Sequence, residues 1–140
     1  MITEKQYFGF WMYRTDKTNL ITEHSAKLLK AVNGLMEEAE KQGVKFPVNP
    51  VTRSQVSGAE YGGFRPLACP IGAPGSAHKQ GSAIDIFDPE NLIDVWCVDQ
   101  SEKGELLERY GIYIEHPAST PKWSHWSIRR PQSGNRVFIP

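Results

Sequence analysis

The sequence has no excess of charge of either sign: Lys plus Arg number 16, and Asp plus Glu number 16. A protein that grips nucleic acid through its phosphates shows a basic excess or stripe, so this balance excludes a broad electrostatic grip of that kind. Long apolar runs are also missing, and no stretch approaches the roughly 20 residues that cross a bilayer, so membrane insertion is not expected. The opening Met1-Ile2-Thr3-Glu4-Lys5 lacks a basic segment followed by an apolar one, so synthesis in the cytoplasm without a signal peptide is the expectation. Cysteine is scarce. Cys69 and Cys97 lie too far apart for a zinc site built on closely spaced sulfur pairs, and read as buried small hydrophobes. No repeat or low-complexity tract divides the chain. Its 140 residues, 39% of them apolar, suit one domain spanning positions 1–140.

Apolar periodicity predicts a short helix within residues 3–12 and a long one from Thr22 to Gln42. In the long one, Leu28, Leu29, Val32, Leu35, Met36 and Ala39 mark one buried face, and Gly43 suits the left-handed residue past the end. From Val51 to Val56 the pattern alternates like a strand, and a glycine- and proline-rich loop follows from Gly58 to Gly75. A loop of that length in a small domain is more often functional than idle. Ser82–Phe87, Ile112–Glu115 and Trp123–Ile128 read as strands. A helical or irregular segment is expected through Trp96, then a short helix from Glu102 to Arg109 ended by Gly111. Residues from Arg129 onward form a polar turn at Ser133-Gly134 and a short apolar end. The sum is an α+β fold: a small antiparallel sheet with helices packed on one side.

Chemistry concentrates in the histidines. Of four, His24 falls at the start of the long helix and reads as a solvated surface residue. His78 precedes Asp85, which stands between Ile84 and Ile86 on an apolar strand. A carboxylate there sits on a polar strand face or is held by a metal, an arginine or several hydrogen bonds, because an unpaired buried carboxylate costs several kcal/mol. His125 lies on an aromatic strand whose period of two puts Trp123, His125 and Ser127 on one face. Two imidazoles and one carboxylate supply three corners of a zinc tetrahedron and leave the fourth to water, whose pKa such a metal lowers toward about 7.

Three stretches carry a resemblance: Gly63-Phe64-Arg65-Pro66, then Ser76-Ala-His78-Lys-Gln-Gly81-Ser-Ala83-Ile-Asp85, then Trp123-Ser-His125. In these the chain resembles the zinc D-Ala-D-Ala carboxypeptidase family, with its relatives among phage endolysins and Hedgehog-like domains. The middle run is the specific part, matching Ser-x-His-x-x-Gly-x-Ala-x-Asp in register. The resemblance implies a Hedgehog/DD-peptidase-like fold and a zinc ion bound by His78, Asp85 and His125. It also implies an arginine near the substrate, for which Arg65 is the choice and Arg53 the competitor. Ser76 and Trp123 are candidate substrate contacts, with Trp126 a second candidate wall of the cleft.

One departure concerns the general base: where many members carry a glutamate three residues before the last histidine, this chain has Lys122. Glu115 is the replacement, because a carboxylate near the metal can accept a proton and pass it on. His116, on the other strand face, is not expected to be a ligand but stays open as a proton donor. The implied activity is hydrolysis of peptidoglycan stem peptides or cross-links by a phage or prophage peptidase, reaching the wall after release or within a virion. Two alternatives are a non-catalytic wall-binding or virion module retaining zinc, and a hydrolase of other small amides.

Overall fold

The computed structural model describes residues 1–13, 17–103 and 105–140. Its helices are α1 (Glu4–Phe8), α2 (Asn19–Lys41), α3 (Leu92–Lys103) and α4 (Leu106–Tyr110). Its strands are β1 (Ala83–Phe87), β2 (Tyr113–Glu115), β3 (Trp123–Ser127) and β4 (Val137–Phe138), in the order β1-β3-β2-β4. The α+β class is as expected, but the sheet is mixed rather than antiparallel throughout. β1 and β2 flank β3 antiparallel, whereas β4 runs parallel to β2, with Ile114 opposite Val137. Among the described residues no helix is long and apolar enough to cross a membrane.

The two faces of the sheet have different chemistry because side chains alternate along each strand. Ile84 and Ile86 of β1, Ile114 of β2 and Trp126 of β3 enter one core cluster with Leu28, Val32 and Leu35 of α2 and Ile93 and Cys97 of α3. Each such side chain, fully buried, contributes about 1.5–3 kcal/mol of transfer free energy. The opposite face carries Asp85, His125, Ser127 and Glu115.

α2 begins earlier than its apolar stripe suggests. Thr18, one turn before Thr22, is the cap: its hydroxyl accepts the Ile21 N–H at 3.2 Å. Gly43, past the far end, takes the expected left-handed φ of 87°.

Three expectations need correction. Val51–Val56 forms no strand, only isolated bridges of Asn49 to Ser54 and Val56 to Ile86. Its polar side chains take the backbone instead. The Asn49 amide donates to the Ser57 carbonyl at 2.8 Å, the Thr52 hydroxyl to the Val56 carbonyl at 2.8 Å, and Arg53 turns the chain at φ 55°. α3 is a full helix of 12 residues to Lys103, so Glu102 ends one helix and does not begin the next. α4 starts at Leu106 and closes at Gly111, while Gly104 between them lies outside the described residues. His24 is half-buried rather than solvated. Its Nδ1 lies 3.0 Å from the Gln80 carbonyl and ties α2 to the turn that carries His78.

Candidate metal centre

Asp85 and His125 meet because β1 and β3 place them directly opposite each other. Facing positions on one sheet face bring side chains within reach, and His125 Nδ1 lies 2.9 Å from Asp85 Oδ1. His78 arrives from a single 3-10 turn, Ala77–Gln80, whose first N–H groups include one bonded to the Ser76 hydroxyl at 3.3 Å. Gly81, at φ 73°, turns the chain from there into β1.

The His78 ring is fixed in one tautomer. Its Nδ1 lies 2.8 Å from the Gly63 carbonyl, which can only accept, so Nδ1 carries the proton. The lone pair is then on Nε2, 3.2 Å from Asp85 Oδ1. This is how metal-binding imidazoles are held, by a hydrogen bond from the other ring nitrogen.

The support under that carbonyl comes from α1. The Phe64 N–H donates to the Tyr7 carbonyl at 3.1 Å, and a Cβ at position 63 would stand 1.8 Å from that same oxygen. Only glycine fits there. Tyr7 also donates its hydroxyl to the Ala83 carbonyl at the head of β1, at 3.0 Å. Burial pushes that hydroxyl's pKa well up, with the Asp85 charge adding to it, so it stays a donor.

One ligand atom from each of His78, Asp85 and His125 lies within 4.8 Å of the others, and all three residues are buried. Two ring nitrogens and one carboxylate oxygen form a donor set that can hold a metal ion, and the set fits zinc in type and number. Burial opposes ionisation of Asp85, but the two imidazoles outweigh it and hold the carboxyl below the usual range. Burial likewise opposes the charged form of His125, yet the Asp85 and Glu115 carboxylates raise its pKa.

Arg65 reaches the cluster from the long loop. Its Nη2 is 3.4 Å from Asp85 Oδ2, its Nε donates to the Tyr61 carbonyl at 2.8 Å, and its backbone N–H to the His78 carbonyl at 3.2 Å. Arg53 is exposed and lines no part of the cleft. Glu115, at the end of β2, puts Oε2 3.6 Å from His125 Nδ1. Its pKa is raised, first by burial and against the pull of His125. Lys122 is exposed and held at φ 71°: its N–H donates to Asn91 and its carbonyl accepts from the Asp88 N–H. His116 is exposed, and its Nδ1 accepts the Ala118 N–H at 3.1 Å, which occupies it as a cap of the next turn.

His78, Asp85, His125, Arg65 and Glu115 border a cleft of about 410 Å³, with Ser76 and Trp123 in its wall. That is within the usual size of small-ligand sites. Trp126 is not in the wall. It is fully buried on the core face, its Nε1 bonded to the Ser124 hydroxyl at 2.8 Å, because it is one residue out of phase with His125.

Arg129, also in the wall, escaped the sequence reading. It continues the two-residue step Trp123, His125, Ser127 past the end of β3, and that phase was the available signal. No protein-family model, curated protein or solved structure matches the chain.

Proposed function

We propose that the protein is a zinc-dependent peptidase acting on peptide bonds of peptidoglycan stem peptides or cross-links. The carrying observation is the convergence of His78 Nε2, Asp85 Oδ1 and His125 Nδ1 in a cleft that also holds Glu115. The peptidoglycan substrate class comes from the resemblance in the Ser76–Asp85 run and Trp123-Ser-His125.

His78, Asp85 and His125 would hold the ion. Zinc supplies Lewis acidity, polarising a substrate carbonyl and making water a stronger nucleophile at neutral pH. The other roles belong to the chain. Glu115, with a raised pKa and half-exposed to the cleft, accepts the proton of the attacking water and delivers it to the leaving amine nitrogen. The products are one new carboxylate and one new amine. Arg65 steadies Asp85 through Oδ2 and presents a cation to the substrate carbonyl or carboxylate. Trp123 supplies an apolar wall, and Ser76 borders the cleft while capping the His78 turn.

The deciding experiment is product analysis by mass spectrometry of defined muropeptides treated with zinc-loaded protein. Cleavage that disappears in Glu115→Gln supports the peptidase. Binding to sacculi without any product supports the non-catalytic module instead. Full activity of metal-free protein overturns the proposal.

A further inference from the structure

Lys79, next to His78 on the Ala77–Gln80 turn, is buried, which a lysine tolerates only where acceptors meet its ammonium group. The acceptors here are backbone carbonyls. Its Nζ donates to the carbonyls of Leu67 at 3.3 Å, Cys69 at 2.8 Å and Gly72 at 3.0 Å. The three N–H groups of one ammonium thus match three oxygens of one loop.

That loop has little else to hold it. Of residues 67–75 only Cys69 is buried. Its own backbone bonds are local: the Cys69 N–H donates to the Pro66 carbonyl at 2.9 Å, and the Ser76 N–H to the Ala73 carbonyl at 3.0 Å. Among the described residues, the hydrogen bonds that reach residues 67–75 from another element are those of Lys79 and that of Arg129 Nη1 to the Gly75 carbonyl.

The pinned segment also shapes the cleft, since Gly72 and Ala73 border it. Gly72 sits at φ 88°, and a Cβ there would stand 3.1 Å from Arg65 Nη1. Its backbone therefore closes one side of the guanidinium whose Nη2 faces Asp85. A connected path runs from Lys79 Nζ through the Gly72 backbone to Arg65.

We infer that Lys79 is a positioning residue for the cleft: its caged ammonium fixes residues 67–72, and with them the wall at Gly72 and the seat of Arg65. One turn then serves two tasks, His78 facing the metal cluster and Lys79 the wall. The hold on the loop stands on these contacts alone, and its consequence for substrate rests on the peptidase reading above.

Lys79→Met removes the donors and keeps most of the side chain's length. Proteinase K is expected to cut the full-length variant within residues 67–75 about 10-fold faster than the wild type, with no new cut elsewhere. Zinc affinity, measured by chelator competition, should be unchanged. Cuts spread through the chain mean that Lys79 serves general stability, and an unchanged rate within the loop means that the cage does not hold it. Either result overturns the inference, as does a loss of zinc affinity as large as that of His78→Ala.

On muropeptides, Lys79→Met is expected to raise KM about 10-fold with kcat little changed, because only molecules with the loop in place bind substrate. A fall in kcat at unchanged KM overturns the positioning role. Gly72→Ala, at an exposed position, presses on Arg65 with Lys79 intact and should raise KM likewise. Because both act through one seat, the double variant should raise KM by less than the product of the two single effects. A full product overturns the shared path. Absence of any cleavage by the wild type overturns the peptidase reading, and the proteolysis rates still decide the hold on the loop.

Discussion

Asp85 and Asp94 are both buried aspartates, and they lie on opposite faces of the same strand pair. β3 sends His125 to one side, toward Asp85, and its neighbour Ser124 to the other, toward Asp94. Asp85 is ringed by two imidazoles and a guanidinium, so its charge is favoured despite burial. Asp94 meets hydroxyls and other acids. Its Oδ2 accepts from the Thr120 hydroxyl at 2.8 Å, and its Oδ1 has no hydrogen bond among the described residues. Burial, with Asp88 and Glu115 adding to it, pushes its pKa up to about 6. The difference teaches that burial alone does not make an aspartate a ligand. The sign of its surroundings and its access to a cleft make Asp85 the candidate, and Asp94 serves instead to tie the approach to β3 onto α3.

That contrast can be broken, most forcefully at the ligands. Asp85→Asn and His78→Ala are each expected to weaken zinc affinity by more than about 100-fold, measured by competition with a chromogenic chelator, and to abolish cleavage. Asp94→Asn should leave zinc affinity unchanged. If the two aspartates exchange these outcomes, the metal centre is misplaced. Glu115→Gln separates binding from chemistry: full zinc occupancy is expected, with kcat lower by about 10²- to 10⁴-fold.

Asp94 has its own signature in stability against pH. Unfolded, its carboxyl titrates near 3.8, and folded near 6, so the folded state prefers the protonated form. The contribution is whole below about pH 4 and is lost as pH rises through 6, amounting to about 2 kcal/mol after allowance for solvent screening. Asp94→Asn should therefore match the wild type in denaturant titrations near pH 4 and exceed it above pH 7. A constant gap across that range would remove the protonated carboxyl from the account. The last expected effect is the most remote. Gly63→Ala forces the loop off the Tyr7 carbonyl and disturbs the acceptor of His78 Nδ1, for a 10- to 100-fold loss of zinc affinity.

The candidate metal set was legible because Asp85 and His125 fall on regular strands. The phase of β3 placed His125 opposite the core residue Trp126, and Ile84-Asp85-Ile86 marked a polar position in an apolar strand. α3 was only half legible, because its apolar residues do not form one stripe: Ile93 and Cys97 are buried while Leu92 and Val95 are exposed. β4, two residues paired parallel to β2, is too short to leave a pattern. The buttress from Tyr7 through Gly63 to His78 joins the start of the chain to its middle by backbone groups, and no side-chain spacing encodes it. Arg65 and Arg53 could be separated only by geometry, since both stand in or near the same loop.

The outer edge of β1 has a consequence for recognition. The Asp85 and Phe87 N–H groups donate to the Gly62 and Gln55 carbonyls, while the Ala83 and Asp85 carbonyls accept from the Tyr7 hydroxyl and the Ser57 N–H. A peptide docked in the cleft would therefore find these backbone groups already paired and could not join β1 as an added strand. Its main-chain handedness is not read by a ladder at this edge. Selection at this edge would fall to side chains such as Asp85 and Arg65 rather than to a main-chain ladder, and such contacts do not require one backbone stereochemistry.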